Sequence, residues 1–579
     1  MSARAAAAGQ DDAVLRQAPR PLLREEQYFL LLAIVIGVYS GLAVVCFRLA
    51  IEWTRLWMLG PALTASPLRT LAAPAAAGLL VALLVVRLFP RARGSGVNQT
   101  KSAVYIYDGS IPFRTVVGKF ITAALAIGSG HSLGPEDPSL QVGAGLASAI
   151  GRRLHLSRER VRLIAPLGAA AGLAAAFNSP IAAVLFVIEE VIGRWSAGVL
   201  GAVVLSAVSG TVVARWFLGS EPMFRVPAFE LRNPAELLAY AALGVVGGLA
   251  SVVFLKLVLG LRPRLKALPR WTQYLQPAIA GLIVGALGLF APQVMGAGYE
   301  AMDQAMHGQY SWQLLGGLAG LKIAATAASF VSGTPGGLFA PTLFIGAMLG
   351  AAVNGVSQQL APHLTGPIGA YALVGMGTAF AGILRAPMTS VFMVLEVGGN
   401  YGIILPVMIS NTVAYLISRS LQRTPLFDEL SRQDGIDLPS MEELREERTL
   451  RVEDAMQPPP SPVLDAGATV DDALKQVAGS SGGFFLVNGA GAWRIVRRPE
   501  LEQLGASGAA MHKLHTVAGD VLPVVHPDHS LEHALRMMKS GQLLPVVHRA
   551  SVAQLLGTVS ADDILRAYHE AGREIGIED

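Results

Sequence analysis

The chain is poor in charge. Only 15% of its 579 residues are Asp, Glu, Lys or Arg, against about 25% in a typical soluble domain. With 52% hydrophobic residues and a mean hydropathy of +0.49, this excludes an ordinary soluble enzyme. Cysteine is nearly absent: a single one, Cys46, excludes an intrachain disulfide and any cysteine-built metal cluster. Neither sign of charge dominates. Lys plus Arg number 45 and Asp plus Glu 41, a formal net charge of +4, which implies no nucleic-acid partner. The first residues hold arginines but no continuous apolar core, so they do not read as a cleaved signal peptide. What the chain has in excess is glycine. Its 63 glycines make up about 11%, against about 7% on average, without the three-residue period of collagen. Small residues are favoured where membrane helices pack closely.

Charge is also unevenly placed. Between Trp312 and Arg385 the only formally charged side chain is Lys322, whereas acids and bases return at soluble density from Asp428 onward. The expected organisation is an N-terminal arm over 1–24, a membrane domain over 25–427, a polar linker over 428–449, a soluble domain over 450–570 and a tail over 571–579. Arg4, Arg16, Arg20 and Arg24 favour the cytoplasmic side for the arm. Runs 28–51, 71–89, 199–217, 237–259, 277–290 with its flanks, 314–331 and 403–421 are apolar enough to cross a bilayer core about 30 Å thick. Four others, 139–150, 181–188, 341–353 and 388–395, are short and interrupted by Gly and Pro. That is the mark of half-helices meeting inside a membrane protein, whose non-helical backbone must line a cavity or be buried in protein.

An internal repeat supports this architecture. FNSPIAAVLFVIEE (177–190) resembles LRAPMTSVFMVLEV (384–397), with Pro180 over Pro387, Glu189 over Glu396 and Gly168 over Gly375, all 207 residues apart. Upstream, GPEDPSLQVGAG (134–145) resembles GLFAPTLFIGAM (337–348), with Pro138 over Pro341 and Gly143 over Gly346, 203 apart. Repeated halves with broken helices place a substrate site at their junction. Gly- or Pro-rich turns stand at four expected helix starts: 94–96, 128–138, 177–180 and 333–341. A helix N-terminus carries roughly half a positive charge. Several converging ends would bind an anion without a cage of bases and still release it. The alternative is that these glycines serve only close helix packing.

In this order, GSG at Gly94, GPEDPSLQVGAG at Gly134, FNSPIAAVLFVIEE at Phe177, SGTPGGLFAPTL at Ser332 and RAPMTSVFMVLEV at Arg385 resemble the CLC chloride channel and transporter family. The tail resembles a tandem pair of CBS domains. The resemblance implies an all-α polytopic membrane domain with an inverted internal repeat, a cytoplasmic α/β CBS pair, and a homodimer with one anion pathway per subunit. Ser95 would coordinate a central anion through its hydroxyl, and the backbone N–H groups of Leu338 and Phe339 would complete that site. Glu136 falls on the gating glutamate, Glu190 on the internal proton-transfer glutamate, and Lys119 on a buried lysine that makes the pathway electropositive. Phe427 stands where the family has a tyrosine closing the central site from the cytoplasm. Independently, an ionisable side chain at membrane depth is a functional candidate by default, and Glu136 at a helix N-terminus competes with an anion for the same positive field.

Each position also has a plainer reading. Glu136 could be an N-terminal helix carboxylate, Glu189 and Glu190 a helix end reaching water, Lys119 a snorkelling lysine and Ser95 an N-cap hydroxyl. The chain departs from the family as well. Asn98 replaces Pro and Gln99 replaces Glu after the GSG turn, and Pro135 and Asp137 replace Lys/Arg and Gly around Glu136. Asp137 is a second acid beside the gate, set either to repel Glu136 or to face water. Phe427 cannot donate an O–H bond, so the central site should be weaker or more open inward. His131 and Ser132 are adjacent and do not face each other, and GASG over 505–508 lies in the soluble tail, so neither signals a hydrolase.

In the tail, each CBS unit should read strand–helix–strand–strand–helix. In the second, LLGTVSADD (555–563) fits a G-x-x-S/T-x-x-D pattern in which Ser560 and Asp563 would contact an adenine nucleotide; the alternative is a dimerising scaffold that binds nothing. The first unit, from Val452, is degraded, with Val496 and Pro499 at those positions. The expected function is chloride/proton antiport, not an enzyme activity, with no required cofactor and no metal. The alternatives are a passive voltage- or pH-gated chloride channel, a fluoride/proton antiporter, which Ser95 argues against, and a nucleotide sensor anchored by its membrane part. The expected location is a bacterial inner membrane with both termini cytoplasmic.

Overall fold

The computed structural model describes residues 25–61, 66–193, 197–221, 223–224, 233–436, 438, 450–480, 482–489, 492–538, 543–549 and 551–574. The arm over 1–24 with its four arginines, residues 439–449 of the expected linker and 575–579 of the expected tail lie outside them. The chain forms two units, Met1–Arg445 and Glu446–Asp579.

Long apolar sequence without water must satisfy its backbone within itself, so the elements of the first unit, among the described residues, are helices. Its helices run α1 Glu25–Met58, α2 Pro67–Leu83, α3 Gly96–Tyr105, α4 Phe113–Gly128, α5 Glu136–Arg153, α6 Arg158–Phe177, α7 Pro180–Phe186 and α8 Ala197–Leu218. A second series follows: α9 Glu236–Lys266, α10 Gln276–Phe290, α11 Tyr299–Met306, α12 Trp312–Val331, α13 Phe339–Leu360, α14 Ile368–Leu384, α15 Pro387–Gly398 and α16 Ile404–Leu421. Helix α17, Leu426–Gln433, closes the unit. Among the described residues, 8 helices are long and apolar enough to cross a membrane. Two of these differ from the sequence expectation, and outside them the stretch 139–150, also read as short and broken, lies inside the continuous 18-residue α5. The stretch 341–353, read as a short broken segment, is the interior of the continuous 22-residue α13. Helix α6, absent from the expected spans, is 20 residues long; its alanines and glycines give little hydropathy but let it sit in the middle of the bundle.

The two series pack alike. Helix α5 lies on α6 as α13 lies on α14, α1 on α8 as α9 on α16, and α6 on α8 as α14 on α16. The glycines paired by the repeat make this possible. A methyl group on Gly143 would collide with the Gly168 carbonyl oxygen, and one on Gly346 with that of Gly375. Across the halves, Gly134 and Gly337 exchange both backbone hydrogen bonds at 2.8 Å in an antiparallel bridge. These residues are 203 apart, the repeat's own offset. When a residue bonds reciprocally to its repeat equivalent, the two-fold axis relating the halves passes between the two, so the halves are inverted about that bridge.

The repeated glutamates explain themselves by the same symmetry. Glu189, in the Val187–Ile192 segment that continues α7, accepts from the amides of Met388 at 3.3 Å and Thr389 at 2.9 Å, which open α15. Glu396, at the end of α15, accepts from Ile181 at 3.1 Å and Ala182 at 2.9 Å, which open α7. Each carboxylate thus satisfies amides that its partner helix leaves open. Glu189 is a buried structural cap, not a water-facing helix end.

The second unit is α/β. It contains α18 Val452–Ala455, β1 Leu464–Asp465, α19 Val470–Val477, β2 Phe484–Gly489, β3 Ala492–Arg497, α20 Arg498–Ala506, α21 Leu514–Val517, α22 Leu531–Met537, β4 Leu544–His548, β5 Ser551–Val559 and α23 Ala561–Glu574. The order β1-β2-β3 has a parallel β1–β2 pair and an antiparallel β2–β3 hairpin. In the second half Val525 bridges Val546 in parallel before the β4–β5 hairpin, so both halves follow the expected strand–helix–strand–strand–helix plan. One assignment changes. Val452 and Ala455, expected to open the first unit, belong to the core of the second with Val525, Leu531 and Val559. Backbone bonds from Val452 to His529 and from Gln457 to Thr558 hold them there.

Candidate functional site

All four glycine- or proline-rich turns do precede helices: α3 starts at Gly96, α5 at Glu136, α7 at Pro180 and α13 at Phe339. The Gly134–Gly337 bridge ties the α5 and α13 turns together, which brings Glu136 to the start of α13. Glu136 is fully buried. Its carboxylate faces its own amide and that of Ala340, with Oε2 buried and without a hydrogen-bond partner among the described residues, and the charge of Arg48 acts on it. Tyr299, at the start of α11, donates its hydroxyl to Oε1. A cavity of about 400 Å³ lies on this side, lined by Arg48, Arg55, Pro135, Tyr299 and Glu300 among others. Glu136 therefore sits behind a pocket whose wall carries Arg48 and Arg55 together with Glu52 and Glu300, Arg55 being paired with Glu52.

Ser95 occupies the N-cap position of α3 but makes no side-chain bond to its own helix. Its hydroxyl donates instead to Asp137 Oδ1 at 3.2 Å. The Gly96 and Val97 amides donate to the same carboxylate at 2.8 and 2.7 Å. Asp137, 2% exposed, neither faces water nor points with Glu136; it faces α3. The reason is helical phase. Consecutive residues of α5 diverge by about 100°, so one acid meets α13 and the other α3.

Lys119 does not snorkel. It is completely buried, and its ammonium donates to Gly94 O at 2.5 Å and Ala92 O at 3.3 Å, fixing the turn that aims α3. Lys322, 203 residues later, holds Gly296 O at 2.8 Å and Val294 O at 3.0 Å, fixing the turn before Tyr299. The repeat therefore extends further upstream than the two blocks visible in the sequence. Aligning Lys119 with Lys322 would have marked Tyr299 as standing at a further helix start.

Leu338 is the N-cap residue of α13 and Phe339 its first residue. The Phe339 ring meets Phe186 edge-on at 4.9 Å between centroids, and Phe186 meets Phe427 at 6.4 Å. Phe380 and Phe177 add rings 5.6 and 5.9 Å from Phe339. Phe427 is 3% exposed, so its ring stands at the end of this cluster as buried apolar carbon. The departure at Asn98 belongs to the same contact: its side-chain amide donates to Phe427 O at 2.8 Å. Beside it Lys101 and Asp428 form a buried ion pair at 2.9 Å. Gln99 reaches Arg93 O at 2.5 Å and accepts from Gln141. The residues opening the expected linker are thus held against α3. Glu190 lies one turn beyond Phe186, in the Val187–Ile192 segment whose Ile192 carbonyl accepts from Tyr105 of α3 at 2.5 Å. It is 5% exposed.

His131 and Ser132 turn apart as expected, toward Pro74 O at 3.1 Å and Thr326 at 3.0 Å. In the second unit Ser560 and Asp563 bond each other: Ser560 Oγ donates to Asp563 Oδ2 at 2.5 Å, and the Asp563 amide to Ser560 Oγ at 3.2 Å. This reciprocal cap opens α23 and engages the hydroxyl and one carboxylate oxygen that a nucleotide would use.

Comparison with known proteins places this geometry. Residues 77–419 match the family described as voltage gated chloride channel, and residues 517–570 match the CBS domain. A putative chloride channel protein ClcB-like from Ralstonia nicotianae is 33% identical over 71% of this chain and 99% of its own length. The H(+)/Cl(-) exchange transporter ClcA of Vibrio campbellii is 33% identical over 69% of this chain and 88% of its own. Among solved structures, a slow cyanobacterial Cl-/H+ antiporter superposes with a TM-score of 0.66 at 26% identity, over 71% of this chain and 98% of that one. A eukaryotic CLC transporter shares the fold at a TM-score of 0.61 and 23% identity, over 92% of this chain and 97% of that one. A buried acid at the junction of two inverted helical halves, followed by a CBS region, thus has its place: the chain is a multi-pass membrane protein of the CLC voltage-gated chloride channel family.

Proposed function

We propose that this protein exchanges chloride for protons across a membrane. One observation carries the reading: a fully buried carboxylate, Glu136, stands at the start of α5 against the Ala340 amide, behind a cavity lined by Arg48 and Tyr299. A carboxylate there substitutes for an anion when ionised and leaves when protonated, so proton and anion occupancy exclude each other. The relatives named H(+)/Cl(-) exchange transporters support it. In this reading Leu338, Phe339 and Ser95 frame the central site, Lys119 sets the aim of α3, and Glu190 delivers protons from the other side. The protein works as a homodimer with both termini cytoplasmic, in a bacterial inner membrane.

Passive chloride conduction is the second reading. Phe427 favours it, because a ring without a hydroxyl holds a central anion less firmly. The test is purified protein in liposomes under a chloride gradient, with internal pH recorded. Exchange drives protons uphill; conduction moves chloride with no proton movement; neither flux overturns both readings. In the exchanger, Glu190→Gln keeps chloride flux and abolishes proton movement, and unchanged proton pumping removes Glu190 from the mechanism. In this reading the CBS region is a scaffold whose Ser560 and Asp563 cap α23. Calorimetric heat from an adenine nucleotide that disappears in Asp563→Ala would instead make it a nucleotide seat.

A further inference from the structure

The two acids that open α5 serve different helix ends, and the second is unaccounted for by the exchange reading. We propose that Asp137 is a resident anion of the central site. Its carboxylate holds the donors of α3 that a transported halide would otherwise use, and the two compete. The proposal rests on the transport reading above and adds a residue that sets its anion affinity.

Three features carry it. First, the donors are those of an anion site: one hydroxyl and two successive amides at a helix start, all directed to one carboxylate. Second, Asp137 lies between the two turns that frame the central site. A methyl on Gly337 would lie 2.7 Å from Asp137 Cβ, and one on Gly96 would lie 2.5 Å from the Asp137 carbonyl oxygen. Glycine, the residue expected at position 137 from the family pattern, would leave that space and those donors open. Third, Lys119 lies near enough for its charge to act on Asp137, so the carboxylate takes up the positive field otherwise offered to the halide. A tethered competitor acts at an effective concentration in the millimolar range or above. Its removal should therefore raise halide affinity by about tenfold or more.

A purely structural cap would not compete with chloride, and that separates the two roles. Chloride is titrated calorimetrically into the purified full-length protein, as wild type, D137G, D137N, S95A and S95A/D137G. We expect D137G to bind chloride about tenfold tighter than wild type, with D137N in between. We expect S95A to cost several-fold more in D137G than in the wild-type background, a coupling read from the double-mutant cycle. Equal affinity in wild type and D137G, or an equal cost of S95A in both backgrounds, overturns the proposal. If D137G does not yield folded protein, D137N carries the test, because it keeps the side-chain volume; wild-type affinity in D137N overturns the proposal. Wild-type liposome flux from the same preparation separates the layers. Flux with equal affinities leaves transport standing and removes Asp137; no flux and no chloride binding in any variant removes both.

Discussion

Among the described residues, several buried charges are tied to backbone or to an opposite charge. Lys119 and Lys322 each hold two carbonyls of a turn, and Glu189 and Glu396 each hold two amides of a helix start. Lys101 and Asp428 hold each other, with side-chain exposures of 0% and 7%. Removing one partner of such a pair costs about 3–5 kcal/mol, because the other charge is left buried, whereas replacing both by apolar groups of similar volume is often neutral. Lys101→Met alone should therefore lower the yield of monodisperse protein and its melting temperature, and Lys101→Met with Asp428→Leu should restore most of both. If the single substitution melts like wild type, the pair does not hold Phe427 and α17 against α3. None of these pairings is visible as a local pattern: Asp428 reads as the first residue of a polar linker, and its partner lies 327 residues away.

Helix against helix, the repeat is a packing device before it is a site. Gly143 with Gly168, and Gly346 with Gly375, let α5 approach α6 and α13 approach α14 to backbone contact. Overpacking costs about 1–3 kcal/mol when the surroundings can shift; here the obstacle is a carbonyl oxygen of a packed helix, so Gly346→Ala should reach the upper end. Gly316→Ala on α12 meets no atom within 4 Å and should be neutral or stabilise by up to about 1 kcal/mol. Thermal melts of the two variants in detergent check this, and equal melting temperatures would count against the packing role. The offset of these glycines was readable because it is a property of the chain alone. The full extent of α13 was not: Pro341 looks like a break, but it lies in the first turn, where proline is tolerated.

The whole molecule joins a membrane unit to a second unit with hydrophobic cores of its own. That second unit should fold when expressed alone as Glu446–Asp579. It also carries a row of histidines, with His529 rings 5.0 Å from His526 and 4.6 Å from His533. Burial first, then His533, His526 and Arg549, hold His529 below the ordinary imidazole range, with Asp528 acting the other way. The folded form thus resists protonation. Its stability is fully present above the unfolded value of about 6.5 and declines as pH falls below it. Melts of the isolated unit between neutral and mildly acidic pH should show this decline, reduced in His529→Gln; a parallel pH profile in that variant would assign the decline elsewhere.

Composition, hydropathy and spacing are one-dimensional properties, and they were enough for the membrane class, the doubled architecture, the turns that open α3, α5, α7 and α13, and the acid that meets α13. Solvation and helix propensity act locally, so they leave their trace along the chain. What required the folded molecule was direction. Whether an acid at the start of α5 finds the Ala340 amide or the α3 amides depends on where distant helices end, and neighbouring side chains on a helix point about 100° apart. The same holds for Tyr299 in the cavity wall, for Lys101 with Asp428, and for Val452 in a core that begins some seventy residues later in the chain. These contacts arise from packing between segments far apart in sequence, and no local pattern encodes which of them meet.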